Sequence, residues 1–211
     1  MNLTDAQQTH IRVMREVLRS VQETPLVLKG GTALLVCYGL DRFSEDLDFD
    51  APKKLNLESR MESALTLITS KLKITRTKDT DTVQRYRLEY EYGATLGRLK
   101  VEVSCRDASA AADDVTEIAG VRTYRVSRLI EQKLNALENR TAARDLYDVH
   151  FLARRYAADF SQQARERLRE LTSDMNRLEG RFRPAFEEDD LFRERADLVP
   201  VLVLELSAAM A

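Results

Sequence analysis

Two runs of strict alternation constrain this chain more than any other feature. "VQRYRLEYEY" (83–92) and "LGRLKVEVS" (96–104) change character at every second residue, and they meet near Gly93 and Gly97. A helix cannot satisfy period two, so both runs are predicted strands, paired antiparallel as a hairpin. One face of such a pair needs a core, while the other stays polar. A shorter run, "DLDFD" (46–50), repeats the pattern with Leu47 and Phe49 between Asp46, Asp48 and Asp50. Three carboxylates on one face repel, and each raises the pKa of the others unless a cation sits among them. The spacing reads as a strand and, beyond that, as a metal cradle.

The remaining segments supply helices and one more strand. Residues 3–22 have helical periodicity, with Thr4 and Gln7 spaced as a capping box. "PLVLK" (25–29) reads as a short buried strand running into Gly30-Gly31, then "TALLVCYG" as a short helix with Thr32 at its start. Residues 57–72 read as an amphipathic helix. From Ser127 onward the pattern is helical almost to the end. The predicted fold class is α+β: a mixed sheet with helices over residues 1–125, then a helical region over 126–211 packed on it.

Composition narrows the function classes. With 211 residues, 44% of them hydrophobic, the chain suffices for one generous domain or two small ones. A net charge of −2 excludes a uniformly basic nucleic-acid binder, so a polyanion would have to meet a local patch. Lys71, Lys73, Arg76, Lys78, Arg85, Arg87, Arg98 and Lys100 form such a concentration, extended by Arg122, Arg125 and Arg128. A stripe like this either follows a phosphate backbone or keeps a sheet edge solvated. No apolar run reaches about 18 residues and no leader pattern opens the chain. Cys37 and Cys105 have no metal-ligand spacing. The expectation is a cytoplasmic protein with free thiols and no membrane partner.

Several residues stand out as site candidates. Gly30-Gly31 between a strand and a helix is either a tight turn capped by Thr32 or a place where an anion reaches bare backbone N–H groups. Neither a dinucleotide fingerprint nor a Walker A loop is present. Glu102, flanked by Val101 and Val103, shares the polar face of its strand and is either a third ligand or ordinary alternation. Lys133 falls inside the apolar helical stripe of Val126, Leu129, Ile130, Leu134 and Leu137. Its ammonium either meets an anion, with Asp145 of the next helix the candidate partner and Asp148 adjacent, or snorkels outward. Arg144 is expected to point to solvent. His10 and His150, the only histidines, read as packing or surface residues.

"KGGTALLVCYGLDRFSEDLDF" (29–49) and "IEQKLNALENRTAARDLYDVHFL" (130–152) resemble the two signatures of the AbiEii/AbiGii toxin family, within the DNA polymerase β-like nucleotidyltransferases. Matched position by position, the resemblance implies that Gly30, Gly31 and Thr32 hold a nucleoside triphosphate. It makes Asp46 and Asp48 the ligands of Mg²⁺, two ions in all, with Glu102 in the third-carboxylate position where the family pattern has Asp. It makes Lys133 and Asp145 residues needed for activity, Lys133 also helping to neutralise the triphosphate, and matches Asp148 to a further acid of unassigned role. The implied activity is transfer of a nucleoside monophosphate from an NTP to the 3′ end of tRNA, blocking translation, with a cognate antitoxin as partner. Adenylylation of a protein hydroxyl and non-catalytic nucleotide binding are the alternatives. The chain is short for the family, which implies a reduced C-terminal region.

Overall fold

A computed structural model describes residues 3–106 and 111–209. The chain divides into two units, Met1–Arg125 and Val126–Ala211. In the first, helix α1 (Asp5–Ser20) opens with the expected capping box: the Thr4 hydroxyl accepts from Gln7 N–H, and the Gln7 side chain accepts from Thr4 N–H. Strand β1 (Val27–Lys29) runs directly into α2 (Gly30–Tyr38), and β2 (Asp46–Asp50) follows. Then come α3 (Glu58–Leu65), β3 (Lys71–Asp79), β4 (Val83–Tyr92), β5 (Thr95–Ser104), β6 (Val115–Ile118) and β7 (Val121–Tyr124).

The seven strands form one sheet in the order β3-β4-β5-β2-β1-β7-β6. The predicted hairpin is present as β4–β5, with Leu88 opposite Leu99 and Tyr86 opposite Val101. β2 lies parallel to β5 and antiparallel to β1, and β1 lies parallel to β7, so the sheet is mixed as expected. Alternation puts Leu47, Phe49, Tyr86, Leu88, Leu99, Val101 and Val103 on one face, all at most 2% exposed. They meet Val13, Met14 and Val17 of α1 and Met61 and Leu65 of α3, which are wholly buried. Burying each such side chain contributes about 1.5–3 kcal/mol. The opposite face carries Asp46, Asp48, Lys100, Glu102, Arg85 and Arg87.

Two expectations need correction. Residues 57–72 are not one helix: α3 stops at Leu65, and Lys71 and Leu72 begin β3, paired with Glu91 and Tyr90 of β4. Open hydrogen-bonding groups on β4 outweigh the weak helical periodicity of 66–72, because strand addition satisfies a whole row of them. The other concerns Thr32, which is not the cap of α2. That helix begins at Gly30, with Lys29 at the cap position, and the Thr32 hydroxyl bonds elsewhere.

The second unit is helical: α4 (Val126–Asn139), α5 (Ala143–Arg155), α6 (Gln162–Thr172), α7 (Met175–Glu188) and α8 (Val199–Ala209). Leu129, Ile130, Leu134 and Leu137 of α4 form the expected buried stripe and pack with Leu146, Val149 and Leu152 of α5. Arg181 of α7 closes the end of α4, donating from Nη2 to the carbonyls of Leu137 (2.8 Å) and Arg140 (2.7 Å). Those carbonyls lack helical partners, so the guanidinium acts as a C-cap. Among the described residues, no helix is long and apolar enough to cross a membrane.

Candidate active site

The parallel β2–β5 register sets the site. Asp46 stands opposite Lys100, Asp48 opposite Glu102 and Asp50 opposite Ser104, so the acids share the face away from the helices. The three aspartates have different fates. Asp50 is 4% exposed and is held by Lys29 Nζ (2.5 Å) and by the Tyr124 hydroxyl (2.8 Å), which tie β1, β2 and β7 together. It is a structural acid. Asp46 takes an ion pair from Lys100 Nζ at 2.6 Å, and Glu102 takes one from Arg85 Nη2 at 2.6 Å. Burial pushes the Asp48 carboxyl above its usual range. Lys100 pulls the other way, and Asp46 and Glu102 add to the rise.

A half-buried carboxylate beside two others is a place where added positive charge is stabilising. Three oxygen-donor side chains in adjacent register suit a hard divalent cation in kind. Their side chains, however, hold Lys100 and Arg85, whose charges stand where an ion's would. Among the described residues, no three acid, His or Cys side chains gather closely enough to be a formed metal site. Occupancy by Mg²⁺ therefore requires these two pairs to open.

The glycine turn faces the same carboxylate. Gly30 has φ +74°, a backbone conformation that favours glycine, and a Cβ there would lie 3.5 Å from Asp48 Oδ2. At Gly31 a Cβ would come 2.7 Å from Arg42 Nη2 and 3.0 Å from Ser44 Oγ. Gly31 thus makes room for a buried guanidinium that sequence reasoning did not single out; Arg42 is 5% exposed and donates to the Phe43 carbonyl at 2.9 Å. Thr32 is 1% exposed, and its hydroxyl donates to the Asp46 carbonyl (2.5 Å) and lies 2.8 Å from Ser44 Oγ, which is left to donate to it. Its visible task is to fix the start of β2 against α2. The N-terminal turn of α2, with its positive dipole end and no side-chain cap, lies beside this strand.

Behind the acidic strand, His10 is buried as packing: one ring nitrogen lies 2.8 Å from the Glu45 carbonyl and the other 2.8 Å from the Tyr90 hydroxyl. A carbonyl only accepts, so Nε2 carries the proton and Nδ1 accepts from Tyr90. Burial pushes the Tyr90 phenol up to about 12, which keeps it a donor. Gly97 allows this ring its place, since a Cβ there would overlap the Tyr90 side chain.

In the helical unit, Lys133 is 7% exposed, which decides for the anion-paired alternative over a stem that reaches out to solvent. Its Nζ lies 2.6 Å from Asp148 Oδ2 and 3.7 Å from Asp145 Oδ1. Asp148, which the sequence placed only as a neighbour, is the nearer partner. Asp145 is held instead by a fork from Arg140, at 2.6 and 2.9 Å. Arg144 is not merely solvated: its Nε lies 3.3 Å from Asp189 Oδ2. His150 meets Glu205 at 2.6 Å.

The comparisons with known proteins accord with this geometry. The model of the nucleotidyl transferase AbiEii toxin family, a type IV toxin–antitoxin system, matches residues 12–203. Two crystal structures from Helicobacter pylori are 37% identical to this chain. One, described as a candidate nucleotidyltransferase, has TM-score 0.89 and is matched over 99% of this chain and 94% of its own. The other, JHP933, has TM-score 0.91, with 99% and 92% covered. The chain is thus close in length to these two, and not short beside them. MenT4, nucleotidyltransferase toxin Rv2826c from Mycobacterium tuberculosis H37Rv, shares the fold at 17% identity and TM-score 0.56, over 98% of this chain and 83% of its own. Among curated proteins, none matches. With the strand acids, the glycine turn and a family match across nearly its whole length, the chain belongs to the AbiEii nucleotidyltransferase toxin family.

Proposed function

We propose that the protein transfers a nucleoside monophosphate from an NTP to an acceptor hydroxyl, that of the 3′ end of tRNA, with release of pyrophosphate, and that it is restrained by an antitoxin. The observation that carries the reading is the β2–β5 register, which sets Asp46, Asp48 and Glu102 on one face beside the Gly30 turn. In this reading the α2 N-terminus and Gly30–Gly31 receive the triphosphate, and Thr32 holds the turn against β2. Asp46, Asp48 and Glu102 are the ligands for Mg²⁺, which when bound offsets the charge developing on the triphosphate and lowers the pKa of the acceptor hydroxyl. Lys100 and Arg85, released from their carboxylates, offer positive charge to the phosphates. Lys133 and Asp145 contribute to activity on the strength of the family resemblance and of their burial as charged groups. Cys37 and Cys105, both free, suit a cytoplasmic, reducing setting.

The test is incubation with Mg²⁺, total cellular RNA and each α-labelled NTP in turn. Label that disappears on RNase treatment supports the reading. Label that disappears only on protease treatment would move the acceptor to a protein hydroxyl, and no labelled product would leave nucleotide binding without transfer.

A further inference from the structure

The basic residues of the β3–β4–β5 half-sheet separate sharply by partner. Lys71 holds Glu91 at 2.7 Å, Arg98 lies 3.5 Å from Glu89, and Arg85 and Lys100 hold Glu102 and Asp46. Arg76 belongs elsewhere: its register partner is the core residue Tyr86, it stacks on that ring, and it pairs with Glu58 and Asp79. Among the described residues, Lys73, Lys78 and Arg87 alone in this group have no ion pair or hydrogen bond, and all three are exposed. They share the face of the acids. One row across the strands reads Asp48–Glu102–Arg85–Lys78 and the next Asp46–Lys100–Arg87–Thr75, with Lys73 beyond, opposite Glu89.

Two of these steps set like charges directly opposite: Arg85 with Lys78, and Arg87 with Lys100. Such pairs are destabilising, and while Glu102 and Asp46 answer the charges of Arg85 and Lys100, no carboxylate among the described residues answers those of Lys78 and Arg87. Lysines on the edge strand β3 can be explained as guards against strand pairing. Arg87 cannot, because β4 is an interior strand. Each row spans three strand spacings, about 14 Å from acid to edge, and neighbouring rows lie about 6.6 Å apart. The acid face offers no aromatic ring on β3, β4 or β5 for a base to stack on, since Tyr86 and Tyr90 point into the core and the half-buried Tyr92 shares their side of the sheet by parity. A ligand here is gripped by its phosphates and not read by its bases.

We infer that Lys78, Arg87 and Lys73 form a track for the phosphodiester backbone of the acceptor RNA, leading from the sheet edge to Asp46 and Asp48. The inference rests on the RNA-acceptor reading and adds which residues hold that RNA, and that they do so without regard to sequence. The test is anisotropy of a fluorescein-labelled bulk tRNA fraction with the full chain, without NTP, across a salt series. Lys73→Gln/Lys78→Gln/Arg87→Gln should weaken binding roughly tenfold or more and flatten the slope of log K against log salt by about two. Arg12→Gln/Arg15→Gln/Arg19→Gln on α1 removes the same charge and should change neither. Binding of a fluorescent NTP analogue should be unaffected by the first triple variant, which shows that it folds. Equal affinity and slope for that variant and the wild type, or no binding of RNA by the wild type, overturns the track. RNA binding that depends on the track, without transfer of label to RNA, overturns the proposed reaction and leaves the track standing.

Discussion

Lys133→Met is the most informative single change. The substitution keeps the stem and the volume and removes the ammonium, which lies 2.6 Å from Asp148 and 3.7 Å from Asp145, with side-chain exposures of 9%, 0% and 1% for the three groups. Loss of one partner from a buried pair costs about 3–5 kcal/mol. Asp148 loses its ion pair with Lys133, while Asp145 keeps the Arg140 fork. At about 2–4 °C per kcal/mol for a chain of this size, the melting temperature should drop by about 6–20 °C. Lys133→Met/Asp148→Asn removes both charges of the pair and should recover part of the loss, since no unbalanced buried charge is then added. Thermal melts followed by circular dichroism measure both variants. A single variant that melts with the wild type would refute the buried-pair argument. NTP affinity of the double variant then separates two roles: a loss with stability restored assigns Lys133 to the nucleotide, and an unchanged affinity confines it to structure.

Three further predictions follow from the sheet. Asp48→Asn should raise stability without metal at neutral pH. The raised folded pKa means that the wild type is penalised as pH rises above the ordinary value of 3.8 and through the raised one, so the gap should close below pH 3.8; melts from pH 3 to 8 check the sign. On the proposed ligand role, added Mg²⁺ should raise the melting temperature of the wild type and not that of this variant. Gly97→Ala drives a methyl into the Tyr90 ring, which is 3% exposed, and should cost about 1–3 kcal/mol in urea titrations. Expression of the wild-type chain in bacteria should arrest growth and expression of Asp46→Ala should not; equal growth would count against the acid's role.

What the sequence disclosed were the features with a local period. Alternation located β2, β4 and β5 and the faces of Asp46, Asp48 and Glu102, because a strand's side chains are assigned by parity alone. The helical stripe disclosed the burial of Lys133 in the same way. What escaped depends on partners far along the chain. β3 was hidden because its alternation, Lys71-Leu72-Lys73-Ile74-Thr75, is brief and runs straight on from the helical pattern of α3, and its pairing with β4 is what fixes it as a strand. Asp50 looked equivalent to Asp46 and Asp48, and its partners Lys29, 21 residues back, and Tyr124, 74 residues on, distinguish it. Arg42 gave no signal, since its place depends on the missing side chain of Gly31.

The strand order also dictates when the candidate site comes into being. The β3–β4–β5 meander is built from neighbours in sequence, so its loops close at little entropic cost and it can form early. β2 joins it only by a parallel pairing with β5, and β1 joins β7 through contacts such as Thr123 to the Leu28 carbonyl, 95 residues apart. Pairings of that range form late in folding. A chain still emerging from the ribosome therefore has its aspartates on one segment and Glu102, Lys100 and Arg85 on another. If the protein acts on the translation machinery, it cannot do so before its own synthesis has passed β5, and its activity appears as a late event of folding.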